Sequence, residues 1–299
     1  MNGINRSSDA QPDTIVWLDG ARRDPADAHL HWSDHGITVG DGVFETLKLV
    51  DGVPFALRRH LDRLERSASG LGLSAPENRV LRSAVDEVCD AWGARPGRLR
   101  ITVTGGPGPM GSERGDAGPT LLIAAAEVAT ALAAPSATVA LVPWTRNERG
   151  ALAGLKTTSY GENVVALARA RELGAAEALV ANTVGHLCEG TGSNVFVVVD
   201  DRLATPPLSS GCLAGITREL LLEALAAAGV PAIVDDLSFD VMRSCDAAAL
   251  TSSTRDVQPI GEVVDVDGTR RALDADHPLL RDAQRVWAEA FGPGRPLDP

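Results

Sequence analysis

Only two of the chain's 28 basic residues are lysines, Lys48 and Lys156; the others are arginines. Arginine can replace lysine wherever positive charge alone is needed, but a guanidinium keeps its proton and cannot act as an amine nucleophile. Lys156 stands in Gly154-Leu155-Lys156-Thr157-Thr158-Ser159-Tyr160-Gly161-Glu162-Asn163, where it opens a helix-like stretch. A lysine in a partly buried strand-to-helix turn has a lowered pKa and can serve as a Schiff-base nucleophile. An exposed lysine at a helix start is the plain alternative. Further on, Glu189-Gly190-Thr191-Gly192-Ser193-Asn194-Val195-Phe196 sets a carboxylate ahead of small residues and an apolar strand. That pattern lets a flat ligand approach the backbone, although an ordinary loop entering a strand has the same look. Gly215-Ile216-Thr217-Arg218 begins an apolar helix whose free N–H groups and dipole suit a phosphate, unless Thr217 merely caps it. Thr251-Ser252-Ser253-Thr254 gathers four hydroxyls at a strand end, suited to phosphate or to a simple turn. Amine, acid, helix start and hydroxyl cluster, in that order, describe a lysine-bound, phosphate-carrying, electron-withdrawing cofactor.

The elements that must position these groups can be read from periodicity. Residues 1–13 are polar and aperiodic and read as disordered; structure begins at a short strand, Thr14 to Leu18. Ile37 to Val50 reads as a strand interrupted at Gly40-Asp41-Gly42, with Asp51-Gly52 turning it into Val53-Pro54-Phe55. Leu57, Leu61, Leu64 and Ala68 mark one face of a helix that Gly70 is expected to end, and a second helix covers Asn78 to Trp92. Strands are expected at Arg98–Thr104 and Thr120–Ala126, joined by a mobile glycine- and proline-rich loop. The second half alternates. Strands are expected at Thr138–Pro143, Glu177–Asn182, Asn194–Val199, Pro231–Val234 and Ala247–Thr251, and helices at Tyr160–Leu173, Gly215–Ala228 and Pro278–Phe291. The expected organisation is an α+β or α/β protein in two domains, 14–127 and 136–299, joined by a linker at 128–135.

Composition removes other classes. The net charge of −12 argues against a nucleic-acid backbone or an anionic membrane as main partner. No apolar run reaches the ~18–20 residues that span a bilayer, and the polar N-terminus is no secretory signal. The cysteines (Cys89, Cys188, Cys212, Cys245) lie far apart, with no spacing suited to zinc or a redox dithiol, so no metal is expected and a reduced, cytoplasmic setting fits.

With those residues in view, the chain resembles the class IV aminotransferases, the pyridoxal-phosphate enzymes of fold type IV. That family includes D-amino-acid transaminases, (R)-amine transaminases, branched-chain aminotransferases and aminodeoxychorismate lyases. The resemblance rests on GDGVFET at 40–46, HLDRL at 60–64, Lys156, EGTGSNVF at 189–196, GITREL at 215–220 and TSSTRDVQPI at 251–260. It implies pyridoxal 5'-phosphate as cofactor, with Lys156 as the covalent and proton-shuttling lysine and Glu189 against the pyridine nitrogen. It further implies Arg63, the backbone of Ile216 and Thr217, and Ser253 and Thr254 around the phosphate. The tyrosine that branched-chain enzymes carry five residues after the lysine is Gly161 here, and Tyr160 stands one position early.

On the substrate side the subgroups divide. The 189–196 and 251–254 runs look most like D-amino-acid transaminases, yet the arginine and histidine with which those enzymes grip a carboxylate have no match in GGPGPMGSERG. Phe44 replaces their tyrosine, Thr46 resembles a lyase threonine, and Arg100 matches a strand arginine of the branched-chain enzymes, which carry a tyrosine where Val39 stands. Lys48 falls where relatives hold a basic residue beside the pocket, which implies a substrate contact, unless it is a plain surface strand lysine. The resemblance implies transfer of an amino group from D-amino acids, extending to (R)-amines, to a 2-oxo acid, by a homodimer. The alternative is an aminodeoxychorismate lyase releasing pyruvate and 4-aminobenzoate; a branched-chain L-amino-acid aminotransferase stands behind both. Outside enzymes, a cofactor carrier with the same motifs remains, as does a phosphate-binding module on the 105–115 loop, which lacks a Lys-Ser/Thr ending.

Overall fold

The structure, a computed structural model, describes residues 14–127 and 135–299. The expected disordered N-terminus and all but Pro135 of the expected linker lie outside the described residues. Residues 14–127 form β1 (Ile15–Leu18), β2 (Ala21–Arg23), α1 (His35–Thr38), β3 (Gly42–Val50), β4 (Val53–Pro54), α2 (Leu57–Leu71), α3 (Asn78–Trp92), β5 (Gly97–Thr104) and β6 (Thr120–Ala126). Their strands make one antiparallel sheet in the order β2-β1-β6-β5-β3-β4. The apolar stripe of α2 and one face of α3 close over it, with Leu47, Leu61, Leu64, Val85 and Leu99 in the shared core.

Residues 135–299 form β7 (Ala137–Arg146), α4 (Gly161–Glu172), β8 (Glu177–Asn182), β9 (Leu187–Gly190), β10 (Asn194–Val199), β11 (Arg202–Thr205), α5 (Ile216–Ala228), β12 (Ala232–Val234), α6 (Val241–Ser244), β13 (Ala248–Ser252), β14 (Asp256–Val264), β15 (Arg270–Ala272) and α7 (Pro278–Phe291). The strands build a nine-stranded mixed sheet, β12-β11-β10-β13-β14-β7-β8-β9, with β15 on β14. β7 runs parallel to both β8 and β14. The molecule is thus a two-domain α+β protein. The halves meet where Phe55 and Ala56 join the core of α5 and α7, and where Arg59 on α2 reaches Glu219 and Glu223 on α5. Among the described residues no helix is long and apolar enough to cross a membrane.

Several elements depart from expectation. Ile37 and Thr38 are helical rather than extended, because the Asp34 carboxylate accepts from the Gly36 N–H at 2.8 Å and starts a turn; the strand begins only at Gly42. Gly70 does not end α2. It lies inside the helix, where a Cβ would meet the Leu155 side chain at 2.7 Å, and Gly72 in the left-handed region (φ 70°) is the stop. Strands β9, β11, β14 and β15 were not expected; they are short or buried on both faces and show no alternation. The 105–118 loop has no regular structure, as expected, but it is tied down: Arg114 forks onto Asp41 at 2.6 and 2.7 Å, and Pro109 O accepts from the His35 ring at 2.9 Å.

Candidate active site

The site follows from how α2 and β3 face each other. Besides its apolar stripe, α2 carries His60, Arg63 and Ser67 at i, i+3 and i+7, all buried. On β3, Phe44 and Thr46 point one way, while Glu45 points the other way into the α2 contact. Glu45 is fully buried and takes Arg63 in a two-pronged grip, Nε to Oε1 at 2.8 Å and Nη2 to Oε2 at 2.7 Å; His60 Nδ1 donates to Oε2 at 2.6 Å. Burial alone would raise the Glu45 carboxyl, but Arg63 and then His60 hold it well below the usual carboxylate range. The third guanidinium nitrogen of Arg63 donates to Ala214 O at 2.8 Å, reaching across to the second half.

Lys156 does not open a helix. It lies in an extended segment ahead of α4 that bridges β3, with its N–H on Ser67 Oγ at 3.1 Å and its carbonyl accepting from Phe44 N at 3.0 Å. Its ammonium sits 4.4 Å from the centre of the Phe44 ring and 3.4 Å from Tyr160 Oη. Burial first, and the Arg63 charge next, lower its pKa to about 8. Burial pushes the Tyr160 phenol up to about 12, so it stays protonated while its oxygen accepts from the ammonium.

The opposite wall is Glu189 on β9. Its Oε2 accepts from Leu213 N at 2.9 Å and its Oε1 lies 3.5 Å from Arg146 Nη2. Burial raises the Glu189 carboxyl, with Arg146 the main opposing influence. Arg146 is itself held by Asn163 Oδ1 at 2.9 Å. Beneath the 190–193 loop, buried Glu177 accepts from the Thr191 N–H at 3.0 Å and from the Thr191 and Ser193 hydroxyls. The third wall is the start of α5. Gly215 has no room for a side chain, since a Cβ would stand 1.9 Å from Asn194 Oδ1. Asn194 Nδ2 in turn donates to Leu213 O at 2.9 Å and fixes the approach to the helix. The turn after β13 brings Ser253 and Thr254 beside it, with Ser253 Oγ 3.4 Å from His60 Nε2. Thr251 Oγ1 is buried there without a hydrogen-bond partner.

Together these walls enclose a cavity of about 810 Å³. Lys156, Arg63, Glu189, Ile216, Thr217, Ser253 and Thr254 all line it, as do Phe44, Thr46 and Arg100. Arg100, opposite Thr46 in the β3–β5 register, sets its guanidinium carbon over the Phe44 ring, 3.8 Å from the ring centre, and donates to Thr102 Oγ1 at 3.2 Å. Among the described residues no carboxylate lies within ion-pair distance of it. Lys48 departs from expectation. It shares a strand face with Phe44 and Thr46 but is not part of the cavity lining; Asp256 holds its ammonium at 2.5 Å, over the Phe55 ring. Glu45, His60 and Glu177 had no assigned role from sequence. For the first two a signal existed: a carboxylate on the core-facing side of β3 requires partners, and His60 and Arg63 share a face of α2.

The model of the family "Amino-transferase class IV" matches residues 42–263. The bifunctional aminodeoxychorismate lyase / D-amino acid transaminase of Mycobacterium tuberculosis is 30% identical over 234 residues, covering 72% of this chain and 79% of its own. The D-alanine aminotransferase of Bacillus licheniformis is 28% identical over 277 residues, covering 90% and 94%. Among solved structures, the pyridoxal-phosphate-bound form of a hypothetical aminotransferase from Mycobacterium tuberculosis superposes with a TM-score of 0.80 at 26% identity, over 92% of this chain and 97% of that one.

Proposed function

The chain belongs to the class IV aminotransferases, enzymes that use pyridoxal 5'-phosphate, and from that premise we propose that it moves an amino group from D-amino acids to a 2-oxo acid. The donor set fits the cofactor: a buried amine of lowered pKa for its aldehyde, a buried carboxylate for its ring nitrogen, and an unobstructed helix start with adjoining hydroxyls for its phosphate. Once bound, pyridoxal 5'-phosphate supplies an aldehyde that captures amines and a ring that delocalises negative charge from Cα.

In this reading Lys156 is the base that takes the Cα proton and later returns it. Its lowered pKa leaves a useful fraction uncharged near neutrality. Tyr160, a protonated phenol one hydrogen bond away, steers the amine. Glu189 meets the ring nitrogen, and Arg146 is the main influence against the burial that raises its carboxyl. Arg63, Ser253, Thr254 and the N–H groups of Ile216 and Thr217 receive the phosphate.

One observation carries the choice of an amino acid over a plain amine: Arg100 brings a guanidinium without an acidic partner into the lysine's cavity, where a substrate carboxylate would neutralise it. The D hand rests on the 189–196 and 251–254 runs. Mixing the holoenzyme with D-alanine, without acceptor, should convert the bound cofactor to its amino form, read by absorbance. Conversion by L-leucine alone would move the protein to branched-chain substrates. Thr46 in the cavity wall beside Arg100 favours one second reading, the lyase; it is tested by pyruvate release from aminodeoxychorismate with no response to D-alanine.

The proposal includes a homodimer. Trp32, Ile37, Val39 and Met110 are exposed on and around α1 and on the 105–118 loop, which the Asp34–Pro107 bridge holds together, an apolar face suited to a second copy. It also includes a reducing, cytoplasmic setting, in keeping with four free cysteines.

A further inference from the structure

The contact between His60 and Ser253 poses a hydrogen-bonding conflict for a phosphate. Glu45 is held ionised and accepts from His60 Nδ1 at 2.6 Å, which fixes the proton on Nδ1. A neutral ring then presents a bare Nε2 toward Ser253 Oγ at 3.4 Å, and the serine hydrogen turns to it. Ser253 is left with only lone pairs for the cavity. A phosphate dianion also offers only lone pairs, so the two repel. If the serine turned its hydrogen to the phosphate instead, the buried Nε2 would lose its donor. The charges point the same way: with His60 neutral, Glu45 and Arg63 cancel, and a dianion would meet a buried cluster of no net charge beyond the start of α5.

We propose that His60 takes up one proton from solvent when a phosphate settles beside Arg63 and Ser253. Nε2–H then donates to Ser253 Oγ, the serine hydrogen swings to the phosphate, and the Glu45–His60–Arg63 cluster gains one positive charge against the dianion. His60 is thus a positioning residue, acting on the cofactor through Ser253, with Glu45 as the anchor that keeps both its ring and the Arg63 fork in place. The groups facing His60 are Glu45 from β3, Arg63 from its own helix, Lys156 from the segment ahead of α4, and Ser253 from the turn after β13. Burial holds the ring below its usual range, with Glu45 acting against it and Arg63 and Lys156 acting with it. The ring is therefore neutral until an anion arrives. This inference rests on the proposed seat of the phosphate.

The test uses pyridoxine 5'-phosphate, which carries the phosphate but no aldehyde, so that no covalent step with Lys156 enters; pyridoxine is the control. Calorimetry at pH 8 in two buffers of different ionisation enthalpy counts the protons taken up. The wild-type chain should absorb about one proton more with the phosphorylated ligand than His60→Asn does. Its affinity should fall about tenfold per pH unit above neutrality relative to that variant. On the wild type alone, ¹⁵N-histidine NMR should show His60 Nε2 passing from unprotonated to protonated as the ligand binds, a readout that stands even if the variant fails to fold. Equal proton counts in the two chains, or an Nε2 that stays bare in the complex, overturns the linkage and leaves the seat intact. Binding of pyridoxine with no gain from its phosphate overturns the seat, and the linkage with it.

Discussion

Burial sets what Lys156 can do. A side chain in water would keep its proton to beyond pH 10, whereas here desolvation and the nearby Arg63 bring the pKa to about 8. The sign is direct: the nucleophile is the uncharged amine, so capture of pyridoxal should speed up as pH rises to about 8 and level off above it. Continued acceleration to pH 10, followed by borohydride trapping and mass spectrometry, would place the reacting amine in solvent. Lys156→Arg should abolish the trapped adduct outright. Arg100 makes a different prediction. A charge-assisted hydrogen bond is worth about 1.5–3 kcal/mol, so Arg100→Gln should lower kcat/KM for D-alanine by ~10- to 100-fold. Activity with an (R)-amine, which has no carboxylate, should change little.

Helix α2 has two buried stripes, one apolar against β3 and one polar (His60, Arg63, Ser67) against the site, so a single helix supplies both core packing and three site contacts. Helix α5 presents its first turn to the cavity only because Gly215 leaves Asn194 in place. Gly215 has ordinary helix-entry dihedrals, so the demand for glycine is spatial and not a matter of backbone strain. Gly215→Ala should displace Asn194, break its bond to Leu213 O and tilt the loop that also donates Leu213 N to Glu189. The expected outcome is at least ~10-fold weaker binding of pyridoxal 5'-phosphate, about the loss of one charge-assisted hydrogen bond, read by fluorescence titration. Pyridoxal should be affected less.

At the scale of the whole molecule, the cavity exists because two sheets are held against each other. The joint is apolar at Phe55, Trp287 and Phe291, whose rings meet tilted or edge-on in one cluster. It is ionic at Lys48–Asp256 and at Arg59 with Glu219 and Glu223. The ionic contacts are partly exposed and contribute little each; Trp287, 5% exposed, contributes more. Trp287→Ala should cost about 3–5 kcal/mol, seen as a lower denaturant midpoint, and should loosen the cofactor because Arg63 and Ala214 then part. Lys48→Met, by contrast, should leave substrate kinetics nearly unchanged, since Lys48 braces the joint and is not part of the cavity lining. For the proposed dimer, Trp32→Glu should shift the mass read by light scattering from two chains to one.

The sequence by itself determined the family and most of the elements. Lysine scarcity singled out Lys156, and the blocks at 40–46, 189–196, 215–220 and 251–260 carried the family, because a covalent lysine, a ring-facing carboxylate and a phosphate seat each require particular residue types in a local run. Helices α3 and α7 and strands β8 and β10 were legible to the residue, because their amphipathic or apolar runs are bounded by turn formers. Only the tertiary structure decided the rest. That Glu45, His60 and Arg63 form one buried cluster, that Arg146 stands behind Glu189, and that Lys48 braces the joint while Arg100 enters the cavity, all depend on pairings between residues far apart in the chain. A strand's alternation shows which side chains share a face; it does not show how far along that face the cavity ends. That boundary is set by where the second sheet docks, and so Lys48, two steps past Thr46 on the same face, meets Asp256 on that sheet.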